Sequence, residues 1–338
     1  MKKCNSPKVS ILVPIFGVEK YIEKCAVSLF QQTYSNLEYI FVDDCTPDKS
    51  LDVLYTVMQK YPERRNQVRI IKHEHNRGLA AARNTAVAAA SGIFVIHVDS
   101  DDYIEKNTVE KCVKKQQDND ADIVSFGCFR EYKNKTVIQL PPSFSDSKDM
   151  CLSLIKKRKN DDIVNVGIWG RIIRRSLYTE NQIMAEEGVN MAEDYQVITK
   201  LSYFAKNIGM IMEPLAHYNL QNVGSYVNNI TLKNARQSER SFQIVYDFFS
   251  NKGDEFLEAV NVGLSLHLMR LAIDGIGNGF GRNYYCALQH RWQLMPSYIK
   301  KKIPFQRRAV LVDYYFALLY IKCIRALLKQ IKDICPTI

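Results

Sequence analysis

Four short β-rich runs alternate with three helical stretches in the first hundred residues. The runs are VSILVPIF (9–16), LEYIFVDD (37–44), VRIIKH (68–73) and IFVIHVD (93–99). The helical stretches lie between them at 19–32, 49–61 and 78–90. Strands separated by helices predict βαβ units, and near-continuous apolar strands suit a sheet covered on both faces. GLAAARNTAVAAA is alanine-rich, so its helix can approach the sheet closely. A helix at 106–117 and a strand at 123–130 are expected next. The middle, to about residue 222, mixes short signals of both kinds. From about residue 231 the texture is mainly helical, broken by GIGNGFG (275–281).

The composition suits a globular protein. The chain has 338 residues, 46% apolar and 24% charged, enough for one large domain or two ordinary ones. The first residues, MKKCNSPKVS, lack the apolar core of a signal peptide. No window reaches the roughly 18 uninterrupted apolar residues of a membrane-spanning helix. A cytoplasmic protein is therefore expected. Nine cysteines are spread singly without a CxxC pair, so reduced packing thiols fit better than disulfides or a zinc site. The formal net charge is +10, and the segment from Pro296 onward holds nine bases against two acids. Most of the excess is thus local, which argues against a basic groove and against a nucleic-acid partner.

The run IFVIHVDSDDYI (93–104) ends in a burst of acid: Asp99, Asp101 and Asp102. In an open parallel sheet, ligands bind outside the carboxyl ends of the strands. Pro14 is expected to end the first strand, Asp43 and Asp44 the second, and Asp99 to Asp102 the fourth. Such crowded carboxylates call for a cation, and hard oxygen donors suit Mn2+ or Mg2+ held jointly with a substrate diphosphate. The plain alternative is a helix N-cap followed by a solvated acidic first turn. GIGNGFG is not GxGxxG and does not open a helix after a strand, so it is read as a connection. His73 and His75 lack partners at metal-site spacing and are read as surface histidines.

The opening VSILVPIFGVEKYIEKCAVSLFQQTYSNLEYIFVDDCTPDKS resembles that of family 2 glycosyltransferases. NRGLAAARNTAVAAASGIFVIHVDSDDYI resembles the family's second block, with its DxD. WGRIIRRSL, MAEDYQVITKL and EPLAHYNLQNVGSY continue the resemblance to about residue 226. It implies the GT-A fold, an α/β domain with a Rossmann-like mixed sheet over about 1–225. The nucleotide-sugar half would be about 1–103 and the acceptor half about 104–225. A helical C-terminal region, 226–338, carries none of it. The implied activity is inverting transfer of a sugar from a nucleotide diphosphate sugar, a UDP-sugar in the usual case, to an acceptor hydroxyl.

The resemblance also implies roles. Pro14 and the segment through Phe16 would line the nucleotide pocket. Asp43, beside Asp44, would hydrogen-bond the base, usually uracil. Asp99 and Ser100 would sit near the ribose and metal shell, and Asp101 would ligate the metal. Arg83 would lie near the phosphates, or pair with Asp99 or Asp43; the two are compatible. AED supplies Asp194 as catalytic base with Glu193 beside it, although an acidic pair opening a helix is also what its dipole favours. His217 is a candidate for the metal or diphosphate, against a core or surface role. Trp169 is either near the acceptor or an ordinary core tryptophan.

The tail 309–334 has helical periodicity, with Ile321, Ile324, Leu328 and Ile331 on one face and Lys322, Arg325, Lys329 and Lys332 on another. It would pack on the catalytic domain or a second subunit, or rest on an anionic membrane on the inner face. The implied acceptor is a glycan or lipid-linked molecule in bacterial surface-polysaccharide assembly. Two other functions stay open. A nucleotidyltransferase would want a glycine-rich basic loop after the first strand, where PIFGVEKYIEK has one glycine. A non-catalytic nucleotide-sugar-binding protein would not need Asp101 or Asp194, and both are present.

Overall fold

The computed structural model describes residues 6–159, 162–222, 231–275, 279–294 and 297–301. The chain divides into two compact units, Met1–Ser225 and Tyr226–Ile338. The basic tail singled out at 309–334 lies outside the described residues.

In the first unit β1 (Val9–Ile15), α1 (Ile22–Phe30), β2 (Leu37–Asp43), α2 (Ser50–Gln59), β3 (Val68–Lys72), α3 (Leu79–Ala89) and β4 (Phe94–His97) follow the expected alternation closely. Then come β5 (Tyr103–Ile104), α4 (Thr108–Asn119), β6 (Ile123–Glu131), β7 (Thr136–Gln139) and α5 (Ser147–Lys156). A two-stranded ribbon, β8 (Arg158–Lys159) with β9 (Asp162–Ile163), precedes β10 (Arg171–Arg174), α6 (Ser176–Glu180), α7 (Glu193–Phe204) and β11 (Ile208–Asn219).

One sheet runs in the order β3-β2-β1-β4-β10-β6-β11-β5, with β7 added to β6. The first four strands are parallel, as predicted. β10 is antiparallel to both neighbours, so β4 and β6 on either side of it run the same way, and β11 continues parallel to β6.

Period-two alternation assigns the two faces. Val9, Ile11, Val13, Tyr39, Phe41, Phe94 and Ile96 point to a core shared with α1, α2 and α4. Leu12, Ile40, Val42 and Val95 point the other way, to α3, α5, α6 and α7. Ala80, Ala82 and Ala86 of α3 are buried there, and their small side chains let that helix lie close.

The second unit contains α8 (Leu232–Phe249), α9 (Asp254–Gly275), α10 (Gly281–Leu294) and α11 (Ser297–Lys301). The α8 N-terminus is capped by Thr231, whose hydroxyl accepts from the Asn234 amide at 3.2 Å. Helix α9 is long and apolar enough to cross a membrane, with a mean hydropathy of 1.4, but 72% of that window is buried within the protein. His267 of α9 stacks on Phe242 of α8 at 3.7 Å, so this helix has a packed protein environment.

The amino edge of the sheet is tied by one carboxylate. Glu38 Oε1 accepts from Ser10 Oγ (2.5 Å), the Ser91 amide (2.6 Å) and the Gly92 amide (3.1 Å). Its Oε2 accepts from Ser91 Oγ (2.8 Å) and Lys8 Nζ (2.9 Å). Burial opposes ionisation here, but these donors outweigh it and lower the Glu38 pKa from the usual 4.5 to about 2. A depressed carboxylate stabilises the fold above its unfolded pKa, and that stability is lost as pH falls through the folded value. Glu38→Gln should therefore lower unfolding stability at pH 7 by about 1–3 kcal/mol, and the deficit should shrink between pH 4.5 and 2. Denaturant unfolding across that range measures it; a deficit independent of pH would contradict the assignment.

Candidate active site

The carboxyl edge of the parallel strands gathers the loops. Ile15 is in register with Asp43, and Asp43 with Lys72, while β4 leaves β1 at the pair Leu12 and His97. Asp43 ends β2 and Asp99 follows β4; these two strands flank β1 and run the same way, so both acids lie at one edge. The loop after β1 is fastened to the loop after β2. The Gly17 amide donates to Thr46 Oγ1 and the Glu19 amide to Asp48 Oδ2, both at 2.9 Å. Asp43 Oδ1 accepts from the Thr46 amide at 2.9 Å. Pro14 does not end β1, contrary to expectation. It is buried inside the strand, where the β1–β4 ladder stops because its ring nitrogen carries no hydrogen. Phe16, 49% exposed, presents the edge in its place.

Asp44 is tied to the loop before α3. Its Oδ1 accepts from His73 Nδ1 (2.6 Å) and the Arg77 amide (2.8 Å), and Oδ2 from the Gly78 amide (2.7 Å). Helix α3 has no side-chain N-cap, and Asp44 substitutes for one. Gly78 adopts φ +90°, and a Cβ there would meet the Asn190 side chain. Asn190 in turn accepts from the Ala80 amide at 3.0 Å. His73 is not a surface residue: its side chain is 5% exposed, and Nε2 contacts Thr85 Oγ1 at 2.9 Å.

Beyond β4 the acids crowd together. Burial raises the Asp99 pKa to about 6, with Asp101 and Asp194 adding to it and Arg83 opposing. Asp102 is pushed well above the carboxylate range by burial and by Asp101 and Asp99. Its Oδ1 accepts from the Asn219 amide at 2.8 Å. Asp101 Oδ2 accepts from Asn222 Nδ2 at 2.8 Å. Ser100 is buried between them in sequence. Among the described residues no three His, Cys, Asp or Glu side chains form a ready-made metal cage. Two hard carboxylates short of a full cage is the donor set that suits a divalent ion shared with substrate phosphates. Asp99 and Asp101 fit that group.

Arg83 of α3 joins this cluster to a second one. Its Nη2 donates to Asp99 Oδ1 at 2.8 Å, and Nε lies 3.5 Å from Glu193 Oε1. Nη1 is buried without a hydrogen-bond partner. Both readings of Arg83 are compatible with this pairing. Glu193 and Asp194 open α7 after Ala192, which takes a left-handed backbone at φ 61°. The two carboxyl groups hydrogen-bond each other. Burial and the Asp194 charge push Glu193 well above the usual carboxylate range. Burial pushes Asp194 up too, but Arg83, the Glu193 hydrogen bond and the Ile168 amide (3.2 Å) outweigh it and leave Asp194 low. The two carboxyl groups are thus pushed in opposite directions and titrate as a pair.

Several members of this site carry no sequence signal of their own. His97, buried with Nε2 3.0 Å from the Tyr178 hydroxyl, is kept neutral by burial and by Arg83, with a pKa of about 3. Arg171 donates to the carbonyls of Gly167 and Asn165 and so shapes the loop that aims the Ile168 amide at Asp194. A cleft of about 340 Å³ opens beside Arg83, His97, Glu193 and Asp194, with Val87, Met184 and Val197 on its apolar side.

His217 is not available to a metal as placed. Nδ1 contacts Glu131 Oε1 at 2.9 Å and Nε2 contacts Glu105 Oε1 at 2.8 Å. The ring stacks between Tyr103 (4.0 Å) and Phe129 (4.6 Å), so both nitrogens and both faces are used. Trp169 stacks on Tyr218 at 4.9 Å, and Tyr218 lies in the field of Asp99, Asp101 and Asp102.

Comparison with known proteins identifies the family and the fold. The family described as Glycosyl transferase family 2 matches residues 10–181. The glycosyltransferase EpsJ of Bacillus subtilis (strain 168) is 30% identical over 219 residues, 63% of this chain and 61% of that protein. The poly(ribitol-phosphate) beta-N-acetylglucosaminyltransferase TarS of Staphylococcus aureus (strain Mu50) is 29% identical over 214 residues, 62% of this chain and 35% of that protein. The chain thus spans less than two thirds of the length of either relative. The crystal structure of S. aureus TarS 1–349 in complex with UDP-GlcNAc aligns with a TM-score of 0.69 at 20% identity, over 93% of this chain and 88% of that one. Mannosyltransferase PcManGT from Pyrobaculum calidifontis, in complex with GDP-Man and Mn2+, aligns with a TM-score of 0.56 at 17% identity, over 96% and 88%. The first unit has the GT-A fold, and the chain belongs to glycosyl transferase family 2.

Proposed function

We propose that the chain transfers a sugar, with inversion, from a nucleotide diphosphate sugar to an acceptor hydroxyl in polysaccharide assembly. The observation that carries this reading is the split acid pair Glu193–Asp194, joined through Arg83 to the acids that follow β4. A family relative binds UDP-GlcNAc, which favours a UDP-sugar as donor. Phe16 and Asp43 at the edge would take the base. Asp101 and Asp99 would hold a divalent cation, Mn2+ or Mg2+, which when bound neutralises charge on the departing diphosphate. The acceptor would be a glycan or a lipid-linked molecule. The local basic surplus of the tail supports a cytoplasmic enzyme with a peripheral contact on an anionic membrane.

The chemical step uses this chain's own groups. The acceptor oxygen attacks the anomeric carbon, the bond from that carbon to the diphosphate breaks, and its electron pair leaves on the phosphate oxygen. Asp194, held ionised, takes the hydroxyl proton. Glu193 already carries a proton, so it cannot compete as base. Arg83 keeps the negative charges of the two clusters in one array.

Asp194→Asn keeps the shape and removes the basicity. Single-turnover transfer should fall by roughly 10²–10⁴ while calorimetric affinity for the donor is retained. Near-normal transfer would place the base elsewhere, and lost donor binding in a folded variant would place Asp194 in the nucleotide site. Asp101→Asn should greatly weaken UDP binding in Mn2+ with little effect on binding in chelator. Calorimetric titration reads both, and equal affinity in Mn2+ would contradict the metal assignment.

A further inference from the structure

Among the described residues, one basic side chain at the end of β6, near the acids that follow β4, forms no ion pair. Arg130 lies near the end of β6, in register with Tyr218 of β11 and Val137 of β7. Its guanidinium carbon is 5.8 Å from the Tyr218 ring centroid and 6.0 Å from that of Tyr132. Its Nη1 donates to the neutral Gln139 Oε1 at 3.3 Å. Its Nε is buried without a partner. No hydrogen bond among the described residues engages Nη2.

The neighbouring acids are already engaged. Glu131 binds the Tyr103 hydroxyl and His217. Asp99 binds Arg83, Asp101 binds Asn222, and Asp102 takes the Asn219 amide. A half-buried guanidinium gains most from a charged partner, and desolvation without one is unfavourable. Its planar fork matches the paired oxygens of a phosphate or carboxylate. Lys133 and Lys135, both exposed on the same hairpin, add to the positive field.

A continuous set of contacts links this group to the base. The Ile168 amide donates to Asp194, the next residue Trp169 stacks on Tyr218, and Tyr218 lies under Arg130. We infer that Arg130 binds an anionic group, a phosphate ester or carboxylate, on the acceptor, and so selects a charged acceptor for the hydroxyl that faces Asp194. This rests on the transferase reading, which gives the word acceptor its meaning.

The test is calorimetric titration of the full chain, saturated with UDP and Mn2+, with glycerol 3-phosphate and with uncharged glycerol. With UDP in place, the donor's own phosphate subsites are filled. The wild type should bind the phosphate ester and not glycerol. Arg130→Gln should bind the ester at least tenfold more weakly, with UDP affinity unchanged; Arg130→Lys, which keeps charge without the fork, should fall between. Equal ester binding by Arg130→Gln, or no ester binding by UDP-loaded wild type, would overturn the inference. A matching loss of UDP affinity in Arg130→Gln would overturn it too, by assigning Arg130 to the donor diphosphate. Failure of the wild type to bind UDP at all would instead defeat the transferase reading itself.

Discussion

The buried guanidinium of Arg83 is the interaction on which the site depends. One nitrogen holds Asp99, which ends the fourth parallel strand, and another faces Glu193, which opens α7. Those two carboxylates are 94 residues apart in sequence and belong to different halves of the fold. Without a cation between them, the mutual repulsion of Asp99 and Asp194 would oppose the packing of α7 against the sheet. Burial makes this interaction strong, because the same low dielectric that penalises each charge alone strengthens their attraction. The Arg83 pKa is raised despite burial, so its charge is constant across the working pH range.

The surroundings fix Arg83 in place. Asp44 ties the loop before α3 to the end of β2, and Asn190 and the reciprocal Asn84–Ala185 bonds tie the first turns of α3 to the segment leading into α7. The Arg77–Glu187 ion pair (2.8 Å) spans the same two segments at the surface and adds little by itself. Two helices that carry the functional charges are thereby held by buried polar contacts near their amino ends. The apolar core beneath, from Val87 and Val197 down to Leu12 and Ile40, sets only their distance from the sheet.

Much of this was legible in the residues. The four parallel strands and their helices fall within a few positions of their expected limits, because apolar run length and alternation report burial directly. The same alternation places Val95 on the face of β4 toward α3, while Asp99 lies two residues beyond the strand, where Arg83 reaches it. Three residues have surroundings that the sequence hides for a shared reason. Pro14, Asp44 and His217 have the right chemistry, but their partners come from elsewhere in the chain: Val42 for Pro14, the 73–78 loop for Asp44, and Glu105 and Glu131 for His217. His97, Tyr178, the Ile168 amide and Arg171 were invisible for the complementary reason. Each acts only through a neighbour that folding brings, and a single histidine or a backbone N–H carries no pattern along the sequence.

The proposed role of Asp194 as base rests on its neighbour Glu193 being pushed up while Asp194 is held low. Burial alone would raise both acids; the Arg83 charge and the Ile168 amide are directed so that only Glu193 rises. The most direct measurement is infrared difference spectroscopy of the free enzyme at pH 7, comparing wild type with Glu193→Gln in the region where protonated carboxyl groups absorb. The account predicts that Glu193→Gln loses one component of the protonated-carboxyl absorption, beside the component of Asp102 that both proteins keep. Identical absorption in wild type and Glu193→Gln, with Glu193 therefore ionised beside Asp194, would contradict it.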